Sequence, residues 1–355
     1  MRPLPFEPIR IGGLEIENRF LMSAAVDGLA ADPAARARRF SILAQGGVGL
    51  VVAGRVGSAD ELFGKAVEAV HKAGGKIALQ LLSRAGLGFD PSRDAPAASV
   101  VASESPIFND VFPFGPHHEA GRFEIEAMVE EFAAAARLAK GLGVDAVEIH
   151  AAHNSALMQY LTPLVNRRRD EWGGTMENRL RLHRLVYDAV RAEVGALVPI
   201  VVKLGVADVF PGGLTIEEGV VAAKLLAEHG YDAIEVSQGL QDFRDAKTLV
   251  GTPLRMHTMK TGQEAYFRDW CRQVKRAISK PAILTGGIRS FEIAEEVLST
   301  DDADMIGMCR PLIREPGLVK RWREGDRKRA TCISCNRCGA ELMEGRPLSC
   351  VLERP

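Results

Sequence analysis

The chain has 355 residues, of which 46% are apolar and 26% are charged, with 45 basic and 46 acidic side chains. This composition is typical of a globular protein and excludes a disordered, collagen-like or coiled-coil chain. A net charge of −1 gives no electrostatic reason to expect nucleic acid or an anionic membrane as a partner. The first residues lack the apolar region of a signal peptide, and the longest apolar runs are far shorter than a membrane span. We therefore expect a soluble, cytoplasmic protein.

Short apolar runs alternate with amphipathic stretches of helical period along the whole chain. The predicted strands are Phe20–Ala25, Val48–Ala53, Lys76–Leu82, Ala146–His150, Ile200–Leu204, Ala233–Ser237, Ala282–Thr285 and Met305–Met308. The clearest predicted helices are Asp60–Ala73, Glu126–Gly141, Asn178–Val194, Thr215–His229, Glu264–Ile278 and Phe291–Ser299. Eight strands, each apolar on both faces and followed by a helix, predict an α/β fold of the (β/α)8 TIM barrel type. A doubly wound open sheet is the alternative, because a count of strands cannot show closure.

The two ends of the chain differ from this repeating pattern. Residues 1–19 predict a hairpin that closes the bottom of the barrel. We expect the barrel to occupy residues 1–325 and a short Cys-rich extension to occupy residues 326–355. Three long connections, Gly86–Arg122, Asn154–Glu177 and Gln238–Gly262, each follow a strand. On a barrel they cover the C-terminal face, where active sites form.

Glycine-rich turns follow the last two predicted strands. Thr285-Gly286-Gly287-Ile288-Arg289-Ser290 follows the seventh strand, and Gly307-Met-Cys309-Arg310-Pro follows the eighth. Glycine lets backbone N–H groups approach an anion, and the start of a helix favours negative charge. Barrels often bind phosphate at these two loops, so the sequence predicts a phosphate site there. The string Gly141-Leu-Gly143 precedes a strand instead of following one, and it indicates a helix end and not a dinucleotide loop.

Two histidines, His150 and His153, stand at the end of the fourth predicted strand. Two imidazoles three residues apart on one active-site loop can both point at a ligand oxygen. Metal ligation is the alternative, although no third ligand is evident nearby in the sequence. The loop that follows, Asn166–Arg179, carries charges of both signs around a Gly turn, which indicates a loop held by ion pairs.

The last part of the chain concentrates its cysteines. Four of the six, Cys332, Cys335, Cys338 and Cys350, lie close together near the C-terminus. Disulfides are rare in cytosolic proteins, so such a cluster predicts a metal site.

The segment after the fourth strand contains a long and specific signature. It reads His150-Ala-Ala-His153, Gln159-Tyr-Leu-Thr-Pro163, Asn166, Asp170-x-Trp-Gly-Gly and Glu177-Asn178-Arg179. The chain here closely resembles the old yellow enzyme family, also described as NADH:flavin oxidoreductases, which are FMN-dependent ene-reductases on a (β/α)8 barrel. The resemblance runs from Leu4-Pro-Phe-Glu-Pro to Pro316 and includes both glycine-rich turns.

The resemblance implies a cofactor, a reaction and a role for each matching residue. It implies one FMN per chain, reduced by NAD(P)H, with His150 and His153 holding the carbonyl oxygen of a small-molecule substrate. Hydride would then move from flavin N5 to the β carbon of an activated C=C bond. The positions implied to contact FMN are Ser23, Ala24, Ala25 and Val26 at the end of strand one, Gln80, Lys203 near N1 and O2, and Gly286, Gly287, Cys309 and Arg310 near the phosphate.

Two positions depart from the family pattern. Ser155 stands where the family usually has the Tyr that donates a proton to the α carbon, and Val26 stands where Thr or Cys often bonds the flavin. Ser155 is predicted to be a poor direct donor, because an aliphatic hydroxyl is a far weaker acid than a phenol. The other candidate proton sources are solvent, water held by Ser155, His257 and Tyr266.

The four late cysteines are similar to those of an iron–sulfur branch of the family, which includes 2,4-dienoyl-CoA reductase and trimethylamine dehydrogenase. This implies a [4Fe–4S] cluster on Cys332, Cys335, Cys338 and Cys350, served by an external redox partner. A zinc ion and the absence of any metal are the alternatives, because four thiolates can also hold tetrahedral zinc and because the second and third cysteines are one residue closer than in that branch. We expect a homo-oligomeric FMN-dependent ene-reductase; an oxidative or isomerising flavoenzyme and an electron-transfer subunit are the alternatives.

Overall fold

The computed structural model describes residues 4–56, 61–83, 85, 99–103, 105, 117–242, 254–256, 258–259 and 262–353. His257 and most of the first and third long connections lie outside the described residues. Within this part of the chain, no helix is long and apolar enough to cross a membrane.

The chain begins with a two-stranded antiparallel hairpin, formed by strands β1 (Ile9–Ile11) and β2 (Leu14–Ile16). Eight parallel strands then close into a barrel in the order β10-β11-β12-β3-β4-β5-β8-β9. The barrel strands are β3 Phe20–Met22, β4 Leu50–Val56, β5 Ile77–Leu81, β8 Ala146–Ala151, β9 Ile200–Gly205, β10 Ala233–Ser237, β11 Ala282–Leu284 and β12 Met305–Met308. Strands β6 (Ser99–Val101) and β7 (His117–Glu119) form a separate pair. Closure of the sheet confirms the predicted TIM barrel and excludes the open sheet.

Helices surround the barrel and follow its strands. They are α1 Pro33–Gln45, α2 Gly64–Lys72, α3 Arg122–Gly141, α4 Ala156–Leu161, α5 Met176–Arg179, α6 Arg181–Val194, α7 Ile216–His229, α8 Arg268–Ala277, α9 Phe291–Ser299, α10 Arg310–Arg314, α11 Leu318–Arg323 and α12 Arg337–Met343. The bounds of α9 are those predicted, and α7 begins after Thr215, whose side chain forms a capping box with Glu218.

Some predicted bounds were wrong, and the errors have local causes. The helix predicted from Glu264 begins at Arg268, because Ala265 has a φ of +54° and the Glu264 carboxylate bonds to another segment. The first barrel strand ends at Met22, three residues earlier than predicted, because residues 23–26 leave the sheet and line the cavity above it.

Inward-facing side chains form layers inside the barrel. At the bottom, a cluster of apolar residues from all eight strands packs against Ile11 and Ile16 of the hairpin, as the sequence predicted for this segment. Because side chains alternate along a strand, the residues two positions further on also face inward. In four neighbouring strands these are polar: Gln80 on β5, Glu148 on β8, Lys203 on β9 and Glu235 on β10, which we call the polar layer. All four side chains are buried.

Candidate active site

A cavity of about 400 Å³ opens at the C-terminal ends of the barrel strands. A volume of this size is within the range of cofactor and substrate sites. The cavity is lined by every residue that the sequence proposed for catalysis or cofactor binding: Ser23, Ala24, Ala25, Val26, Gln80, His150, His153, Ser155, Lys203, Gly286, Gly287, Cys309 and Arg310. The structure therefore brings these residues together, while their individual roles stay predictions.

The two histidines lie side by side on the cavity wall, with ring centroids 5.2 Å apart. His150 belongs to β8, and the chain then turns sharply, because His153 and Asn154 both adopt left-handed backbone, with φ values of +55° and +65°. The Nε2 atom of His153 lies 2.7 Å from Ser237 Oγ. Burial, with smaller effects from His150 and Lys203, holds the pKa of His153 well below its ordinary value. His153 is therefore neutral at pH 7 and has a single N–H to donate.

Ser155 has a structural task at the same turn. It is the N-cap of α4, and its Oγ accepts a hydrogen bond from Met158 N at 3.4 Å. The same hydroxyl donates to the backbone oxygen of His150 at 3.3 Å. Since its proton is directed at a carbonyl of the protein, the hydroxyl is poorly placed to deliver that proton to a ligand.

The polar layer forms the floor of the cavity, where Gln80 and Lys203 are exposed to it. Gln80 Nε2 donates to Glu148 Oε1 at 2.7 Å, and Lys203 Nζ donates to Glu235 Oε1 at 2.9 Å. Lys203 therefore reaches the cavity already paired with a carboxylate. Glu148 and Glu235 were not predicted from the sequence. Glu148 lies two residues before His150 on its strand, and Glu235 lies two residues before Ser237, and both of those residues line the cavity.

The two carboxyl groups of the polar layer respond differently to burial. Burial, reinforced by the neighbouring Glu235, raises the pKa of Glu148 well above its ordinary value. Burial is also the largest single effect on Glu235, but the positive charge of Lys203 and hydrogen bonds from neighbouring side chains together outweigh it and hold the pKa of Glu235 below its ordinary value. The same partnership raises the pKa of Lys203 despite burial.

The opposite end of the cavity fits an anion. Gly286 and Gly287 have φ values of +108° and +78°, and a Cβ on Gly287 would lie 2.6 Å from the Tyr266 ring. Arg289 is only 4% exposed and lines the cavity. Its Nη2 donates to Ala330 O at 3.0 Å, while its Nε and Nη1 are buried without a hydrogen-bond partner among the described residues. A buried guanidinium with two unused nitrogen donors can bind a phosphate or a carboxylate.

Arg310 ties this anion end to the C-terminal segment. Its Nη1 donates to Arg255 O at 2.9 Å and to the side-chain oxygen of Asn336. Cys309, the preceding residue, lies on the cavity wall, and burial raises the pKa of its thiol. The sequence analysis quoted Arg289 within the phosphate turn but did not select it, because burial without a partner cannot be seen in a sequence.

The four predicted metal ligands, Cys332, Cys335, Cys338 and Cys350, line a second cavity of only about 20 Å³. Arg310, Asn336 and Cys338 border both cavities, so the two adjoin. Among the residues that the structure describes, no three His, Cys, Asp or Glu side chains form a group that could hold a metal ion. Burial raises the pKa of Cys338 to about 12 and also raises that of Cys332. Arg314 Nη1 donates to Cys350 Sγ at 3.2 Å.

Comparison with known proteins agrees with this geometry. The model of the NADH:flavin oxidoreductase / NADH oxidase family matches residues 57–329, most of the chain. NADH oxidase from Thermoanaerobacter brockii is 31% identical over 94% of this chain and 53% of that protein. Two solved structures share the fold. The structure of 2-naphthoyl-CoA reductase has a TM-score of 0.84 and 23% identity, and the match covers 99% of this chain and 57% of that one. Morphinone reductase has a TM-score of 0.73 and 24% identity, and the match covers 92% of this chain and 90% of that one.

The chain belongs to the NADH:flavin oxidoreductase / NADH oxidase family and is a flavin-dependent oxidoreductase. The family's description implies a flavin and an NADH-type reductant. The chain spans about half the length of the NADH oxidase it matches, but nine-tenths of morphinone reductase. The barrel fold is therefore common to these proteins.

Proposed function

We propose that this protein uses FMN to reduce activated C=C bonds, such as those of α,β-unsaturated carbonyl or enoyl compounds, at the expense of NAD(P)H. The observation that carries the proposal is the division of one cavity into three parts. An anion end, a polar floor and a histidine wall are what a phosphate, a flavin ring and a substrate carbonyl would each require. The names of the two structural relatives, 2-naphthoyl-CoA reductase and morphinone reductase, support a reductase of carbonyl-bearing substrates.

The residues present fit FMN at its charged end. Arg289 has two buried nitrogen atoms without hydrogen-bond partners among the described residues, and Gly286 and Gly287 line the same end of the cavity. We assign the phosphate to these residues with Arg310 and Cys309, and the ring system to Gln80, Lys203 and residues 23–26. When bound, FMN supplies hydride transfer between the nicotinamide and the substrate.

His150 and His153 orient the substrate. A neutral His153 can donate one hydrogen bond to a carbonyl oxygen, and His150 lines the same wall. Two donors aimed at this oxygen stabilise the negative charge that develops there as hydride reaches the β carbon. Ser155 keeps its proton on His150 O, so protonation of the α carbon falls to solvent or ordered water.

We propose that the C-terminal cysteines hold a [4Fe–4S] cluster, with zinc as the alternative. Four thiolates can hold either group, and Cys332, Cys335, Cys338 and Cys350 line one small cavity that adjoins the larger one. The cluster would exchange electrons with a redox partner, within a homo-oligomer.

An oxidative flavoenzyme of the same fold is the second candidate. The absence of Tyr at position 155 and the engagement of the Ser155 hydroxyl favour it, because oxidation of a substrate needs no proton donor to an α carbon.

The test has three arms on protein purified without oxygen. Heat denaturation should release one FMN per chain; release of FAD, or of no flavin, would contradict the proposal. Mixing with NADH or NADPH and then cyclohexenone should reduce and reoxidise the flavin. A flavin reduced by an amine or thioester substrate but not by pyridine nucleotide would favour the second candidate instead. A flavin reduced by neither, but by an electron-transfer partner, would indicate an electron-transfer subunit.

A further inference from the structure

Two buried acids, Glu148 and Glu235, lie in the polar layer on either side of Lys203. They come from β8 and β10, and β9 runs between these strands. Lys203 is opposite His150 on one side and opposite Glu235 on the other. Both carboxyl groups have no exposed surface, so neither can be hydrated by bulk water.

In each carboxyl group only one of the two oxygens accepts a hydrogen bond from a neighbouring side chain. Glu148 Oε1 accepts from Gln80, and Glu235 Oε1 accepts from Lys203. The Oε2 atoms of both carboxyl groups are buried, and within the described part of the chain neither accepts a hydrogen bond as long as both groups are ionised. The two side chains are nevertheless within hydrogen-bonding reach of each other once one of them carries a proton.

The charges around the pair require such a proton. Lys203 from β9 is the cation that contacts it, Gln80 from β5 and Ser23 after β3 are its neutral neighbours, and the Cys309 thiol after β12 faces Lys203. Two ionised carboxyls beside one ammonium would leave a net negative charge at side chains that bulk water does not reach. One shared proton makes the set neutral and gives both Oε2 atoms a partner.

We propose that Glu148 and Glu235 share one proton, carried by Glu148 and donated to Glu235, and that this carboxyl pair positions the two floor residues of the cavity. Through Glu148 it fixes the amide of Gln80, and through Glu235 it balances the charge of Lys203. The pair itself is inferred from contacts within the barrel; its effect on a flavin rests on the function proposed above. Glu148 and Glu235 are positioning residues, since they act through Gln80 and Lys203.

The first measurement is infrared spectroscopy of flavin-free protein at neutral pH. The native chain should show a protonated-carboxyl band that shifts in D₂O. Glu148→Gln should remove it, because the proton-carrying group is gone. Glu235→Gln should also remove it, because without the second carboxylate Lys203 keeps Glu148 ionised. Asp208→Asn is the matched control: Asp208 is another buried carboxyl of raised pKa, yet it accepts from Leu214 N and Leu240 N, and its replacement should leave the band.

Three infrared outcomes would overturn the proposal: no band in the native chain, a band that survives Glu148→Gln in a variant with native thermal unfolding, or a band that disappears in Asp208→Asn. Because this measurement needs no flavin, it decides the carboxyl pair even if the proposed function is wrong.

The second measurement is the midpoint potential of the bound flavin in a double-mutant cycle. Each single Glu→Gln change should leave the potential near the native value, because the remaining carboxylate still balances Lys203. The double variant should shift it positive, because an unbalanced cation favours the anionic reduced cofactor. Two equal single shifts that add in the double variant would mean that both acids are ionised, and would overturn the shared proton.

Discussion

The polar layer and the C-terminal cysteines gather reactive side chains in two different ways. Gln80, Glu148, Lys203 and Glu235 are far apart in the sequence, and strand register aligns them. The four cysteines are close in the sequence, but they lie on irregular backbone and on the short helix α12. Two residues between them, Ser334 and Asn336, have left-handed backbone, with φ values of +54° and +58°.

This difference determines what holds each group in place. The polar layer is fixed by parallel strands on both sides and by hydrogen bonds among its own members, so it keeps its geometry without a ligand. Burial raises the thiol pKa of Cys332 and Cys338, and a metal would have to replace the protons of these two thiols. We therefore expect the cysteine region to depend on its metal and the barrel to be independent of it.

The largest expected effect comes from breaking the cysteine site. Cys338→Ser should reduce the iron content from about four atoms per chain to near zero, because a cluster with three ligands is readily lost. The flavin content and the thermal unfolding of the barrel should change little. Iron analysis, flavin absorbance and a thermal unfolding curve of the anaerobically purified variant measure these three quantities.

Cys271→Ser is the matched control for that experiment. Cys271 is another free cysteine, but it belongs to α8 and is buried in the barrel core. Its replacement should leave the iron content unchanged while lowering the stability of the barrel. Equal iron loss in both variants, or four freely titratable late thiols in the native protein, would contradict the assignment.

A smaller effect should follow from the anion end of the barrel. Arg289→Met should weaken FMN binding by about 10- to 150-fold, because it removes hydrogen bonds to a charged group worth about 1.5–3 kcal/mol. The Kd can be measured by titrating flavin-free protein and following fluorescence quenching. Arg327→Met is the control. The Arg327 side chain is exposed, and its guanidinium lies over the ring of Phe291 in α9, 4.2 Å from the ring centroid. Equal weakening by both changes would remove Arg289 from the phosphate site.

The barrel was predictable from the sequence because its signals are periodic. Apolar runs and helical stretches alternate, and the strand ends of the fourth, seventh and eighth units carried recognisable residues. That is why His150, Gly287 and Arg310, which line the cavity, could be proposed as site residues from the sequence. Glu148 also lies in a predicted strand. An acidic residue in an apolar strand does not indicate a site, however, unless its partner on another strand is known.

Other parts of the site were beyond the sequence for physical reasons. The unpartnered N–H groups of Arg289 and the pairing of Lys203 with Glu235 arise from contacts between distant segments. The early end of β3 and the late start of α8 depend on where neighbouring loops pass. The cysteine spacing indicated a metal site, but it carries no information on how far apart the four sulfur atoms lie.

A glycine pair can measure how tightly the anion end is packed. Gly287 and Gly74 have the same φ, +78°, but a Cβ on Gly287 would collide with the Tyr266 ring, whereas one on Gly74 would meet nothing within 4 Å. Both Gly→Ala changes add a left-handed strain of about 1–2 kcal/mol. Gly287→Ala should cost a further ~1–3 kcal/mol of unfolding free energy from overpacking. Denaturant unfolding of both variants gives the difference, and equal losses would show that the ring moves aside freely.

The smallest effect is expected at Ser155, which connects the histidine turn to α4. Ser155→Ala removes an N-cap and should lower the unfolding free energy by about 0.5–2 kcal/mol. Chemistry should change less, because the hydroxyl proton is directed at His150 O and not into the cavity. We expect the oxidative half-reaction with an enone, followed by stopped-flow absorbance, to slow by less than about tenfold, or 1.4 kcal/mol. Ser155→Thr should restore the stability, since it keeps a hydroxyl cap. A loss of three or more decades in Ser155→Ala, with flavin reduction by NAD(P)H intact, would make the hydroxyl an essential donor and would mean that it turns from His150 O toward the substrate during the reaction.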